Sequence, residues 1–127
     1  MKYRLGFLSL ALVLAVAAWA MTPAQRIGRL KSASLLMIER EGKDPLRVYS
    51  KPEVRPLVNL FNVDSGALRG HEGGKAVYKL SFYRSEGSKP LDVLWVKGSG
   101  SWGFKNSPEG YGRNRDIVTW LQKAESR

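Results

Sequence analysis

The side chains able to carry catalysis are sparse. Of 127 residues one is histidine, His71, and none is cysteine. Thiol catalysis, disulfides and Cys-ligated zinc are therefore excluded. His71, with Asp64 or Asp92 as orienter and one of several serines, meets the composition of a Ser-His-Asp triad. No G-x-S-x-G turn accompanies it. A mononuclear zinc site would need His71 plus carboxylates, a poor ligand set. His71-Glu72 stand in Gly-rich sequence and read as solvated turn. Asp92 and Glu109 are conceivable partners for paired-carboxylate glycoside chemistry, but a domain this small leaves little room for a sugar cleft.

Two glycine-rich runs invite a phosphate reading. Gly98-Ser99-Gly100-Ser101-Trp102-Gly103 fits G-x-G-x-x-G. That fingerprint needs a helix whose N-terminus receives the pyrophosphate. Phe104-Lys105-Asn106-Ser107-Pro108 follows instead, which is poor helix sequence. Gly70 to Ala76 resembles a phosphate loop only superficially. Arg69 stands where the first glycine is required, and Ala76 where Ser or Thr must follow the lysine. No cofactor and no metal are expected.

One cluster remains. Trp102, Phe104, Lys105, Tyr111, Arg113 and Arg115 lie close together in Gly-rich sequence. Aromatic rings interleaved with Arg and Lys suit stacking on sugars or bases and pairing with phosphate. Trp102, Lys105, Tyr111, Arg113 and Arg115 are thus the candidate partner- or anion-binding set. The competing reading makes Trp102 and Tyr111 core anchors that tie this loop to the terminal helix, and it is slightly favoured.

The elements that must position these residues follow from periodicity and punctuation. Residues 22–31 read as a polar connector. Ala33–Arg40 reads as a first strand, bounded by the turn Glu41-Gly42-Lys43-Asp44-Pro45, with Leu46–Tyr49 as its hairpin partner. Ser50-Lys51-Pro52-Glu53 matches the S-x-x-E capping box and opens a helix with Val54, Leu57, Val58 and Phe61 on one face. Pro56 is awkward there. Ala76–Arg84 places Ala76, Tyr78, Leu80 and Phe82 on one face, Leu91, Val93, Trp95 and Lys97 alternate with Asp92, Leu94 and Val96, and the two strands form a hairpin. Ser101–Lys105 adds a short edge strand. Asn114 caps a final helix whose Ile117, Trp120, Leu121 and Ala124 form one apolar stripe. The sum is an α+β domain: a small antiparallel sheet of three to five strands packed with two helices.

Ahead of this lies a targeting segment. Lys2 and Arg4 precede an uncharged run from Leu5 to Ala20, which ends in Ala18-Trp19-Ala20. This is the layout of a secretory signal with an A-x-A cleavage site. Cleavage is expected after Ala20, or alternatively after Ala17. The competing expectation is an uncleaved single-span anchor. The apolar run is short for a span, but Arg26, Arg29 and Lys31 follow it closely and disfavour export. The organisation expected is therefore 1–20 signal or anchor, 21–32 connector, 33–127 domain. Once Lys2 and Arg4 leave with the signal, nineteen Lys and Arg face eleven Asp and Glu, a net charge of +8.

These features point to a small exported or membrane-tethered envelope protein without enzymatic activity. The first expectation is an interaction module or inhibitor with another envelope protein as partner. The alternative is a basic binder of anionic polymer or membrane surface: lipopolysaccharide, teichoic acid or phospholipid, with nucleic acid less favoured. A small hydrolase ranks third.

Overall fold

The computed structural model describes residues 21–63, 75–107 and 110–126. The targeting segment, Asp64, His71, both residues of the His71-Glu72 turn and Glu109 lie outside the described residues. The fold is a small α+β domain, a six-stranded antiparallel sheet with three helices. In chain order the elements are α1 (Pro23–Arg29), a 3-10 turn (Leu30–Ser32), β1 (Leu35–Arg40), β2 (Leu46–Val48) and α2 (Lys51–Val58). Then come β3 (Ala76–Tyr83), β4 (Pro90–Lys97), β5 (Ser101–Phe104), β6 (Gly112–Arg113) and α3 (Arg115–Glu125). The strands lie in the order β2-β1-β3-β4-β5-β6.

The first correction concerns residues 22–31, which are helix rather than connector. Thr22 caps α1: its hydroxyl accepts from the Gln25 N–H at 3.1 Å, and the Gln25 side chain accepts from the Thr22 N–H at 3.0 Å. This Thr-Pro-Ala-Gln run is a complete capping box with proline at the first helical position. Ile27 and Leu30 enter the core. Only two buried residues lie in this stretch, too few to register as an apolar period. The capping box expected at Ser50 is different: its side chain makes no capping hydrogen bond, and the Glu53 N–H donates to the Ser50 carbonyl at 3.0 Å. Pro56 is accommodated inside α2. Asn114 behaves as expected, its Oδ1 accepting from the Asp116 N–H at 3.0 Å.

The second correction is the strand count, six rather than three to five. Ser101–Phe104 is interior to the sheet. The place beyond it is taken by β6, where Ser101 pairs with Arg113 and Trp102 with Gly112. Gly112-Arg113 carries no alternation that could announce a strand, and only its pairing makes it one.

Alternation along the strands divides the sheet into two unlike faces. Cross-strand pairs Leu36–Phe82, Ile38–Leu80, Leu80–Leu94, Val96–Trp102 and Leu94–Phe104 share one face. Together with Ile27, Val54, Leu57, Val58, Phe61, Ile117 and Leu121 from the helical segments they form the core. All three helices therefore contribute to the same side of the sheet. Each fully buried side chain of this size stabilises the fold by about 1.5–3 kcal/mol.

Glycine is required where the terminal helix meets the sheet. A Cβ on Gly112 would stand 2.5 Å from the Asn62 carbonyl oxygen and 2.6 Å from Trp102 Nε1. Neither neighbour is a flexible side-chain end. Gly112→Ala is expected to destabilise the domain by about 2–3 kcal/mol through this overpacking. A chemical denaturation midpoint unchanged from the parent would refute it.

Candidate functional site

The aromatic–basic cluster is contiguous in sequence, but the structure divides it between the core and the surface. Trp102 is 0% exposed. Its ring meets Phe61 edge-on at 5.2 Å and Phe104 at 5.9 Å. It therefore presents no stacking surface to a ligand, which corrects its place in the candidate set. Tyr111 is partly buried with its ring 6.4 Å from that of Trp102 and 5.3 Å from that of Phe104. Both act as anchors of the loop. Arg113 lies on the edge strand β6 opposite Ser101, and Arg115 is exposed at the start of α3. Lys105 is exposed just past β5 and continues the ladder, its N–H donating to the Val93 carbonyl at 2.9 Å. The reason for the division is the two-residue period: Trp102 and Phe104 face the core, and Lys105 follows Ser101 and Gly103 to the other side.

Asp92, weighed above as a triad orienter or catalytic carboxylate, is already engaged. Arg26 of α1 grips it with two hydrogen bonds, Nε to Oδ2 and Nη2 to Oδ1, both 2.8 Å. The guanidinium carbon also stands 3.6 Å from the centroid of the Phe104 ring, a cation–π contact. The Asp92 side chain is only 10% exposed. This is a fastening between the first helix and the sheet. A second polar fastening joins the end of α3 to the sheet. Arg40 pairs with Glu125 at 3.1 Å and donates to the Asp44 carbonyl at 2.9 Å. Beside them Tyr78 is buried, and burial, helped by the Glu125 carboxylate, raises its hydroxyl above the ordinary 10.0. Among the described residues no group of three or more His, Asp or Glu converges to hold a metal. No described helix is long and apolar enough to cross a membrane.

Among the described residues, no helix packs on the second face of the sheet. No core residue of the described helices packs there. Register builds this face pair by pair: Leu35–Tyr83, Met37–Arg47, Met37–Ser81, Glu39–Lys79, Ser81–Val93, Lys79–Trp95 and Trp95–Gly103. Met37, Tyr83, Val93 and Trp95 are half-buried and make an apolar band across the strands. Val77, at the β3 irregularity, adds a side chain 48% exposed.

Trp95 is the most substantial member. Its partner across β5 is Gly103, which has no side chain, so the indole has room to reach over that strand. Its Nε1–H donates to the Ser107 carbonyl at 3.0 Å, which fixes the ring. The Lys97 ammonium lies 5.3 Å from the ring centroid. Lys79, directly opposite on β3, pairs with Glu39 at 3.5 Å. A groove of about 450 Å³ runs beside the ring, lined among others by Glu39, Lys79, Val93, Trp95 and Lys105. Among the described residues the cations of this face include Arg47, Lys79, Lys97, Lys105 and Arg113, with Glu39 and Glu41 in the groove and Glu86 near Arg47.

The chemistry of such a surface is recognition: apolar contact on a fixed indole, with ammonium and guanidinium groups around it. Lys105 and Arg113 of the expected set lie on this face, and Lys105 lines the groove beside Trp95 rather than stacking with Trp102. The signal for Trp95 was its row, Leu91, Val93, Trp95 and Lys97, alternating with Asp92, Leu94 and Val96. Assigning that row to a face required the register with β3, which puts Trp95 beside Lys79. Comparison with protein-family models, with curated proteins and with solved structures finds no match to this chain.

Proposed function

We propose that this chain is a non-enzymatic interaction module of the cell envelope, directed there by residues 1–20, which engages another protein through the uncovered sheet face. The observation that carries the reading is the apolar band of Met37, Tyr83, Val93 and Trp95, flanked by basic side chains and overlaid by no described helix. A contiguous apolar patch with a charged rim is the anatomy of a protein interface. A tryptophan at its centre is the residue type most often responsible for binding energy.

The test is capture from envelope extract with the parent chain, Trp95→Ala, and Gln122→Ala on the exposed side of α3. Trp95→Ala is expected to weaken capture of a partner at least tenfold, and Gln122→Ala to leave it unchanged. Equal capture by all three would remove the open face as the interface.

The basic rim supports a second reading, a binder of anionic polymer or phospholipid surface. That reading calls for binding to lipopolysaccharide, teichoic acid or anionic vesicles that falls steeply with salt. Binding that persists in high salt would sink it.

A further inference from the structure

We infer that one end of the sheet is a docking surface for an anionic phospholipid membrane, contacted by Arg29, Lys31, Arg84 and Lys89, with Tyr49 at its margin. The inference goes beyond the protein-interface reading and uses none of the apolar band. It shares with that reading only the membrane-directing segment.

Four elements bring these residues to the same end. Tyr49 follows Val48, which pairs with Leu36 near the start of β1. Ser34 stands just before β1. Its N–H donates to the Tyr83 carbonyl at 3.0 Å and its hydroxyl to the Arg84 carbonyl. Arg29 and Lys31 lie immediately upstream, where the Ser32 hydroxyl donates to the Arg29 carbonyl at 2.8 Å. Tyr83 pairs with Pro90, so Arg84 and Lys89 are the two stems of the β3–β4 turn. The Ser88 hydroxyl closes that turn on the Ser85 carbonyl at 2.6 Å. Along the order β2-β1-β3-β4 this end spans three inter-strand spacings, about 14 Å.

The acids of this end are mostly engaged elsewhere. Asp92 is gripped by Arg26. Glu53 lies in the first turn of α2. Glu86, in the turn between Arg84 and Lys89, also acts on Arg47. Arg29, Lys31, Arg84 and Lys89 are exposed and enter no ion pair among the described residues. Each Lys or Arg brought to an anionic membrane strengthens the contact about fivefold. Four such cations against Glu86 leave a net attraction.

Three observations favour a lipid surface. A single phosphate would meet one or two cations of a row this long, whereas a surface meets them together. Tyr49 is 58% exposed, an apolar ring with a polar tip, and such rings settle at the level of lipid headgroups. Finally, Met21 follows directly on the uncharged run of residues 5–20. Its Sδ accepts from Arg29 Nη1 at 3.7 Å. The membrane-directing segment therefore joins the domain beside Arg29, at the basic end.

The experiment places the full chain in bicelles that carry a paramagnetic headgroup label, either anionic phosphatidylglycerol or neutral phosphatidylcholine, and reads the broadening of amide signals. In anionic bicelles the amides of residues 29–34, Tyr49 and 84–89 are expected to broaden most, and to recover as salt screens the contact. In neutral bicelles the effect should be at least tenfold weaker. Lys31→Gln, Arg84→Gln and Lys89→Gln together should cut it at least tenfold. Lys89→Gln alone should cut it about fivefold, and serves where the triple variant fails to fold. Tyr49→Ser should give an intermediate loss. Equal broadening in neutral bicelles would show tethering alone and overturn the inference. So would broadening centred on Trp95, or at the opposite end around Lys43 and Lys75. Soluble polyphosphate that acts on the same amides as strongly as the anionic bicelles, with no effect of Tyr49→Ser, would assign this end to a free polyanion and overturn it too. Capture of a protein partner through Trp95 should be unchanged in the Gln variants, so the interface reading stands or falls separately.

Discussion

Replacing Arg26 with alanine is expected to lower the stability of the domain by about 2–3 kcal/mol and to release α1 from the sheet. Loss of one partner strands the other: Asp92, with a side chain 10% exposed, would be left in a largely desolvated place without its guanidinium partner. Breaking a fully buried pair costs about 3–5 kcal/mol. The smaller figure reflects the Arg26 side chain, 35% exposed, where solvent already screens the interaction. Both hydrogen bonds at 2.8 Å and the contact with Phe104 vanish together. Arg26→Lys should recover only part, because an ammonium cannot form the two-pronged contact. Asp92→Asn should cost less than Arg26→Ala, since no carboxylate is then left without its cation. Thermal unfolding measures the size of each effect. Hydrogen exchange locates it: the Ile27 and Leu30 amides should lose protection ahead of the sheet. Exchange at those amides unchanged in Arg26→Ala would refute the fastening.

Truncation of Trp102 should cost more. Trp102→Ala is expected to destabilise by about 3–5 kcal/mol, the range for removing a large buried aromatic. A domain with about 5–15 kcal/mol of stability loses a large share of it. The ring joins α2's C-terminal extension, β5 and the loop before β6 through its contacts with Phe61, Phe104 and Tyr111. Its indole N–H has no hydrogen-bond partner among the described residues, so Trp102→Phe removes a buried unsatisfied donor along with part of the ring. That variant should be much milder than alanine. The contrast with Trp95 is informative. Trp95→Ala should leave the unfolding midpoint within about 1 kcal/mol of the parent, while Trp102→Ala should reduce binding only in proportion to the folded fraction. If Trp102→Ala unfolds at the parental midpoint, the assignment of this ring to the core is wrong.

The two tryptophans show how far the sequence can be read. The hairpin of β3 and β4 and the capped terminal helix were legible, because two β-rich runs joined by a Gly-Pro-containing turn and an Asn-capped apolar stripe are local patterns. The α+β class follows from them. The helix at Pro23–Arg29 was not, because its evidence is a capping box and two buried side chains, and it is also fastened by a long-range pair, Arg26 with Asp92. Nor was β6, a two-residue strand that exists only through its partners in β5.

Of the candidate set, the structure buries Trp102 and places Lys105 in the groove beside Trp95. Composition alone determined that cysteine chemistry is excluded, that the chain is strongly basic, and that its first twenty residues have the layout of a targeting segment. Proximity along the chain suggested Trp102 as the aromatic partner of Lys105. Tertiary structure decided otherwise, because neighbours in a strand point to opposite faces and neighbours on a face come from different strands. Which face was covered depended on where three helices packed, a choice made by long-range burial of Ile27, Leu57, Ile117 and their neighbours. That packing buried Trp102, placed Trp95 beside Lys79 and Lys105, and left the basic face with no described helix over it.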